Sequence, residues 1–355
     1  MKAIQFEQHG EPAEVLMVQE RPLPEPGKGE VRVRILASPV NPSDLLFVRG
    51  HYAGVQPIYP SPVGFEGVGI IDVLGPEAER PVPGQRVAVI NAYTGGNWAD
   101  YTVVSADYLI PVPDDLPDAQ VASFLINPAS AILMLRHVLA VPKGEWLLQS
   151  AAGSELGRMI IRLAKHDGIR TLNIVRRREA VAELERLGAD AVIVSTEGAI
   201  DEQVRGIVGP QGVKYAIDPV VGETGTQMYQ ALGEEGRMLV YGSLTREPIR
   251  VGADPRFILA GRRILEVFWL GYWFRKLDET ARYQLVEDVV ALMRGGILVT
   301  SSFERTFSLD EVRVAVTQAE SIGRQGKVLL VPKNCSIVTR EQRTRSVDPS
   351  YVSGA

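Results

Sequence analysis

Apolar residues follow two different rhythms along this chain. Up to about residue 115 they form short blocks divided by glycine and proline, at Val31–Leu36, Gly67–Leu74, Arg86–Ile90 and Trp98–Val104. Close spacing with turn residues between the blocks predicts a mostly antiparallel, partly closed sheet. The texture changes near Pro128. From Ala129 onward, strand-length runs alternate with helical spacing: a helix through His137, strand Trp146–Gln149, a helix carrying Met159, Ile160, Leu163 and Ala164, strand Thr171–Val175, a helix with Leu184 and Leu187, and strand Ala191–Val194. Further strands are expected at Tyr215–Asp218, Arg237–Gly242 and Ile264–Trp269. Such alternation predicts a doubly wound parallel sheet. A helix over Glu279–Arg294, the segment Thr306–Leu309 and a closing strand Gly326–Val331 follow, and the end of the chain is expected to rejoin the first domain. The fold class is α/β, with a mostly antiparallel domain over 1–126 and 271–334, a parallel one over 127–270 and a polar tail over 335–355.

Composition narrows the function classes. A chain of 355 residues exceeds what one core holds, and 45% hydrophobic with 23% charged residues is ordinary for a globular protein. The net charge of -5 argues against a general nucleic-acid or membrane-surface binder, so any phosphate contact must be local. No stretch approaches the roughly eighteen apolar residues of a membrane span. Met1-Lys2-Ala3-Ile4-Gln5-Phe6 enters a strand pattern at once, which reads against a targeting segment and for a cytoplasmic protein. The one cysteine, Cys335, excludes an intramolecular disulfide and a cysteine-based zinc site. His9, His51, His137 and His166 are dispersed, with no metal-ligand pair and no serine elbow beside them, so neither a metal site nor a hydrolase triad is expected.

The densest chemical signal lies between Trp146 and Arg178. An apolar strand leads into the small-residue turn Ser150-Ala151-Ala152-Gly153-Ser154-Glu155-Leu156-Gly157, then a helix, a second strand and Arg176-Arg177-Arg178. This is the order of a dinucleotide-binding βαβ unit, in which the helix start holds the pyrophosphate and the end of the second strand faces the adenosine ribose. An acidic residue there would bond the free 2′-hydroxyl of NAD, whereas an arginine accommodates the 2′-phosphate of NADP. Arg176 follows Gly157 by about the expected twenty residues, and the site reads NADPH. Arg177 or Arg178 could equally be solvated. Glu155 stands where a second glycine is usual; it is expected to point away while Gly153, Ser154, Glu155 and Leu156 offer main-chain N–H groups. Ligands of such sheets gather at the strands' carboxyl ends, which adds Gly222, Tyr241, Gly242, Ser243, Leu244, Phe268, Trp269 and Leu270 as cofactor neighbours.

Five further motifs, Asn41-Pro42-Ser43-Asp44, Gly64-Phe65-Glu66-Gly67-Val68-Gly69, Pro83-Gly84-Gln85-Arg86-Val87, Leu187-Gly188-Ala189-Asp190 and Gln325-Gly326-Lys327-Val328, are spread over nearly the whole chain. With the β-domain, inserted nucleotide domain and closing strand, they resemble the medium-chain dehydrogenase/reductase superfamily. The resemblance implies a GroES-like catalytic domain and a Rossmann domain. Zinc alcohol dehydrogenases of that superfamily place a Cys where Asn41 stands and a His where Phe65 stands; an amide and a phenyl ring replace neither. The likeness is therefore to the zinc-free branch, and within it to the mitochondrial-type trans-2-enoyl-CoA/ACP reductases. By that likeness the loop Arg49-Gly50-His51-Tyr52-Ala53-Gly54 carries the catalytic tyrosine at Tyr52, Ile126-Asn127-Pro128 supplies a cofactor-approaching asparagine at Asn127, and Phe268-Trp269-Leu270 borders the nicotinamide. Lys327 falls on the cofactor-contacting lysine, and a homodimer through the edge strands of the nucleotide domains is implied.

The chemistry so implied is NADPH-dependent reduction of an activated alkene, an acyl thioester carried by CoA or by a carrier protein. Hydride reaches the β-carbon, negative charge develops on the thioester oxygen, and a tyrosine hydroxyl aimed at that oxygen stabilises it. Without the likeness, Tyr52 reads as a loop residue capping a sheet edge, Phe268 and Trp269 as packing, and Asn127 as a turn residue. Two other functions remain open: a zinc-free quinone oxidoreductase, and a cofactor-binding relative with no catalytic role.

Overall fold

The computed structural model describes residues 1–333 apart from 53, 92–94, 252–260, 322 and 324–325, so the expected polar tail with Cys335 lies outside the described residues. The chain forms two compact units: Met1–Ile126 with Val289–Arg294 and Thr300 onward, and Asn127–Asp288 with Gly295–Val299. The second unit extends past residue 270, where the sequence pattern suggested a return to the first. The helix Leu270–Lys276 and most of the helix Glu279–Arg294 belong with it.

In the first unit the strands are β1 (Lys2–Phe6), β2 (Met17–Glu20), β3 (Glu30–Pro39), β4 (Ser61–Pro62), β5 (Glu66–Leu74), β6 (Arg86–Ile90), β7 (Tyr101–Ser105) and β8 (Leu109–Pro111). A small sheet runs β2-β1-β4, and β3, β5, β6, β7 and β8 pair antiparallel in a larger one. Alternation along β3 sends Val31, Val33 and Ile35 inward against Ile71, Val87, Val89 and Val104, as a half-buried strand requires. A second core gathers Phe6, Phe47, Phe65 and Trp98 with Val328 and Leu330. The run Trp98–Val104 was expected to be one strand, but only Tyr101–Ser105 is. Trp98 is withdrawn into the core, where its Nε1 donates to Pro39 O at 3.1 Å.

The second unit contains β9 (Trp146–Gln149), β10 (Arg170–Val175), β11 (Ala191–Val194), β12 (Val213–Asp218), β13 (Leu232–Val240) and β14 (Ile264–Val267). Their order is β11-β10-β9-β12-β13-β14 and every pair is parallel. The direction of strand order reverses between β9 and β12, which is where doubly wound sheets bind ligands. Central strands are buried on both faces, with Leu147, Leu148, Leu172, Ile174, Ala216, Ile217, Met238 and Leu239 all in the interior. β13 and β14 stop at Val240 and Val267, short of the expected Gly242 and Trp269; one further bond, Tyr241 N to Asp218 O and Phe268 N to Val240 O, follows each before the chain turns away. β15 (Phe303–Phe307) and β16 (Lys327–Leu330) pair in parallel, and β16 joins β3, returning the chain to the first unit's sheet. No helix among the described residues is long and apolar enough to cross a membrane.

Candidate active site

The candidate residues fall into two sets, one per unit. In the second unit the turn after β9 ends at Ser154, whose hydroxyl accepts from Gly157 N at 3.1 Å and caps the helix Glu155–Asp167. A Cβ on Gly157 would stand 2.6 Å from Ala152 O, so the helix can leave the turn this closely only with glycine there. A Cβ on Gly153 would meet nothing within 4 Å. Gly153 and Ser154 are exposed, and the helix presents its positive end beside them. The Glu155 carboxylate is buried and 3.2 Å from the Arg158 guanidinium, which also meets Glu183 at 2.9 Å. Its charge is thus matched within its own helix.

Beneath the turn, Gln149 Nε2 donates to Gly157 O at 3.1 Å and to Asn173 Oδ1 at 2.7 Å. That buried link fixes the helix start to β9 and β10, at whose end Arg176, Arg177 and Arg178 emerge into solvent. Arg178 is bound to Glu197, with Nε to Oε1 at 2.7 Å, whereas Arg176 and Arg177 have no acidic partner among the described residues. An open turn, a helix start and two uncommitted guanidinium groups on adjacent strands suit a phosphorylated dinucleotide.

The neighbouring strand ends are tied together by one buried carboxylate. Asp218, at the end of β12, accepts from the Ser150 hydroxyl and from Val220 N and Val221 N, both at 2.9 Å. Burial raises its pKa above the usual carboxylate range. Tyr241 N donates to Asp218 O at 3.0 Å and Leu244 N to Pro219 O at 2.9 Å, which sets Tyr241, Gly242, Ser243 and Leu244 against this turn. The Tyr241 hydroxyl is buried without a hydrogen-bond partner among the described residues, and burial raises its pKa. Phe268 N donates to Val240 O at 2.8 Å. Phe268 is buried, and Trp269 and Leu270 are half-buried, with the Arg275 guanidinium 5.0 Å over the Trp269 ring. Gly222 begins a helix that follows Val221. Asn127, in the first turn of the helix Ile126–Ile132, is half-buried with no side-chain bond among the described residues.

In the first unit, Tyr52 follows the helix Pro42–Val48 and stays attached to it through Arg49 N to Leu45 O, Gly50 N to Phe47 O and His51 N to Leu46 O, all within 3.0 Å. Arg49 anchors this stem by bonding Glu11 and Glu320, each at 2.7 Å. The Tyr52 ring is half-buried on Phe65, 5.2 Å between centroids, and Phe65 in turn packs on Phe47 at 5.3 Å. His51 is exposed. Ala53 lies outside the described residues. Lys327, at the start of β16, is buried with its ammonium 3.9 Å from Glu66.

Glu66 and Asp44 are the members that sequence reasoning missed. Glu66 accepts from Asn41 Nδ2 at 2.9 Å and from Ile126 N at 3.0 Å; Asp44 accepts from Asn41 N at 2.8 Å and from Phe65 N at 2.9 Å. Asp44 is the third residue of its helix and Asn41 the cap, a spacing that announces a capping carboxylate and was the available signal. Burial pushes the Asp44 carboxyl up to about 7, outweighing the two main-chain bonds that favour its charged form, with Glu66 adding to the rise and Lys327 opposing it. At the two positions where the zinc branch keeps ligands, the Asn41 amide nitrogen donates to Glu66 and Phe65 offers only a packed ring, so the donor set does not suit zinc.

Asp44 should leave a mark on stability. An aspartate titrates at about 3.9 in an unfolded chain, so between that value and about 7 the folded protein holds a proton that the unfolded chain has released. The stabilisation is therefore complete below about pH 4 and is lost as pH rises toward 7. Urea midpoints should fall more between pH 5 and pH 8 for the native chain than for Asp44→Asn; equal falls would show that Asp44 does not titrate in this window.

Comparison with known proteins fits both units. The family described as alcohol dehydrogenase GroES-like domain matches residues 27–114, and that described as zinc-binding dehydrogenase matches residues 156–287. The mitochondrial enoyl-[acyl-carrier-protein] reductase of Xenopus tropicalis is 33% identical over 306 residues, covering 84% of this chain and 86% of the relative. Among solved structures, a Bacillus thuringiensis protein described as an NADPH:quinone reductase superposes with a TM-score of 0.86 at 29% identity, over 93% of this chain and 98% of its own. The complex of Etr1p with NADP and crotonyl-CoA shares the fold with a TM-score of 0.79 at 23% identity, over 93% of this chain and 99% of its own. This chain belongs to the medium-chain dehydrogenase/reductase superfamily, in its zinc-free branch, where it is similar to the mitochondrial-type enoyl thioester reductases.

Proposed function

We propose that the protein reduces the C2=C3 double bond of trans-2-enoyl thioesters with NADPH. The observation that carries this reading is the seat of Tyr52: a hydroxyl-bearing ring rests on Phe65, the position that in the zinc branch is a metal ligand. Where a zinc dehydrogenase polarises an oxygen with a metal, this chain offers a phenol. Relatives named enoyl-[acyl-carrier-protein] reductase support the same substrate class.

Gly153, Ser154, Glu155 and Leu156 would receive the pyrophosphate through main-chain N–H groups, and Arg176 with Arg177 would pair with the 2′-phosphate. Asn127, Tyr241–Leu244, Phe268–Leu270 and Lys327 would complete the cofactor's contacts. NADPH, when bound, supplies a hydride to the substrate's β-carbon. Tyr52 then donates a hydrogen bond to the thioester oxygen as negative charge gathers there, and the α-carbon takes its proton from Tyr52 or from water. Losing one such donor costs about a hundredfold to a thousandfold in rate.

One assay tests the chemistry: NADPH consumption with crotonyl-CoA or a longer trans-2-enoyl-CoA, and separately with a quinone, for native protein and Tyr52→Phe. Turnover of the enoyl-CoA, cut about a hundredfold or more by the substitution, is expected. Turnover of quinone alone would instead favour the quinone oxidoreductase that the Bacillus thuringiensis fold neighbour suggests, and no turnover of either would favour a binding protein.

Cofactor choice has its own test. A charge-assisted bond is worth about 1.5–3 kcal/mol, so Arg176→Ala should raise the Michaelis constant for NADPH about tenfold to a hundredfold and leave that for NADH unchanged. An equal rise for both would remove the 2′-phosphate from this arginine.

The same reading extends to a homodimer. β14 closes one edge of the parallel sheet with Ile264, Leu265 and Val267 exposed, Val267 at 74%. Among the described residues β14 pairs only with β13, and an apolar edge strand suits pairing with a second copy. Sedimentation velocity should give a dimer for the native chain and a monomer for Val267→Lys; a native monomer would end the proposal.

A further inference from the structure

We infer that Asp44 is a positioning residue for Tyr52, holding together the two elements that form the tyrosine's seat. The inference rests on the reading of Tyr52 given above. Tyr52 is defined from two sides. Its main chain continues from the helix Pro42–Val48 through an unbroken set of bonds, and its ring lies on Phe65, which arrives from a different part of the chain at the start of β5. One carboxylate bonds the main chain of both, beside the Asn41–Glu66 side-chain bond and the Phe47–Phe65 ring contact. Asp44 Oδ2 accepts from Asn41 N, the residue that caps the helix, and Oδ1 accepts from Phe65 N.

The link admits little substitution. Asp44 is 0% exposed, so the added methylene of a glutamate has no space, and an asparagine would turn an N–H group toward one of two main-chain N–H donors. Phe65 cannot shift to compensate. Gly64, at φ +99, brings the chain so close to Trp98 that a Cβ there would stand 2.4 Å from its ring. Phe65 itself is buried between Phe47 and Tyr52. Opening either bond to Asp44 therefore removes the main-chain tie between the helix and the aromatic support and leaves the Asn41–Glu66 bond and the Phe47–Phe65 contact to hold their spacing. The phenol hydroxyl lies at the end of both, and displacements of about 1 Å cost on the order of a hundredfold in a positioned reaction.

The test combines turnover with a direct report on Tyr52. Asp44→Asn should lower kcat on crotonyl-CoA about tenfold to a hundredfold, with the dissociation constant for NADPH, read by nucleotide fluorescence, unchanged. In a Tyr52→Phe background the same substitution should lower kcat no further. In protein labelled with 3-fluorotyrosine, the fluorine resonance assigned to residue 52 by its loss in Tyr52→Phe should move in Asp44→Asn. An equal loss of kcat in both backgrounds, or an unmoved resonance, would overturn the inference. If Asp44→Asn does not fold, Phe65→Leu keeps the carboxylate's bonds and removes the ring; it must reproduce the loss of kcat and the shifted resonance, and native behaviour overturns the inference. Full activity in Tyr52→Phe would instead sink the catalytic reading of Tyr52, while the fluorine resonance still decides whether Asp44 holds it.

Discussion

A carboxylate taken out of water must find bonds that replace its hydration, because an unpaired buried charge is among the most costly groups a fold can contain. Asp44, Glu66 and Asp218 meet this requirement in the same manner, by accepting main-chain N–H groups. Each joins segments that are distant in sequence or turn sharply. Asp44 spans the start of a helix and the entry to β5, Glu66 spans Asn41 and Ile126, and Asp218 spans the ends of β9 and β12. Loops that bind or react cannot be held by a continuous ladder of strand bonds, so the cost of burying three acids is offset by order placed where the ladders end.

The two units differ in how this order is reached. In the second, repetition supplies most of it: six parallel strands deliver their ends to one edge, and Asp218 and Gln149 only lock the turns that leave them. In the first, the sheet is irregular, and cohesion near Tyr52 comes from an aromatic stack and a cluster of Asn41, Asp44, Glu66 and Lys327. A substitution in the cluster acts on several loops at once, as one at Asp218 does on the turns that leave β9 and β12.

Legibility from sequence followed the same division. Periodic elements could be read closely: Arg86–Ile90, Trp146–Gln149, Ala191–Val194 and the helix Glu279–Arg294 have the limits that their apolar spacing indicates. Strand ends could not, since Tyr241 and Trp269 look like strand residues by composition, yet the strands end at Val240 and Val267 and their last bonds are Tyr241 N to Asp218 O and Phe268 N to Val240 O. The roles of Asp44 and Glu66 were harder still. The capping spacing of Asn41 and Asp44 shows one bond, but the other partners, main-chain amides at positions 65 and 126 and a lysine at 327, are brought together by no local pattern in the chain.

Phe65 links the support of Tyr52 to the fate of the metal. Its ring carries the tyrosine from the position that the zinc branch gives to an imidazole, and one residue cannot both bind a cation and offer a bare aromatic face. On the proposed reading of Tyr52, the ring that supports the phenol therefore occupies the place of a metal ligand. A phenylalanine here thus does two things at once: it leaves a metal without a ligand and gives a tyrosine a surface to rest on.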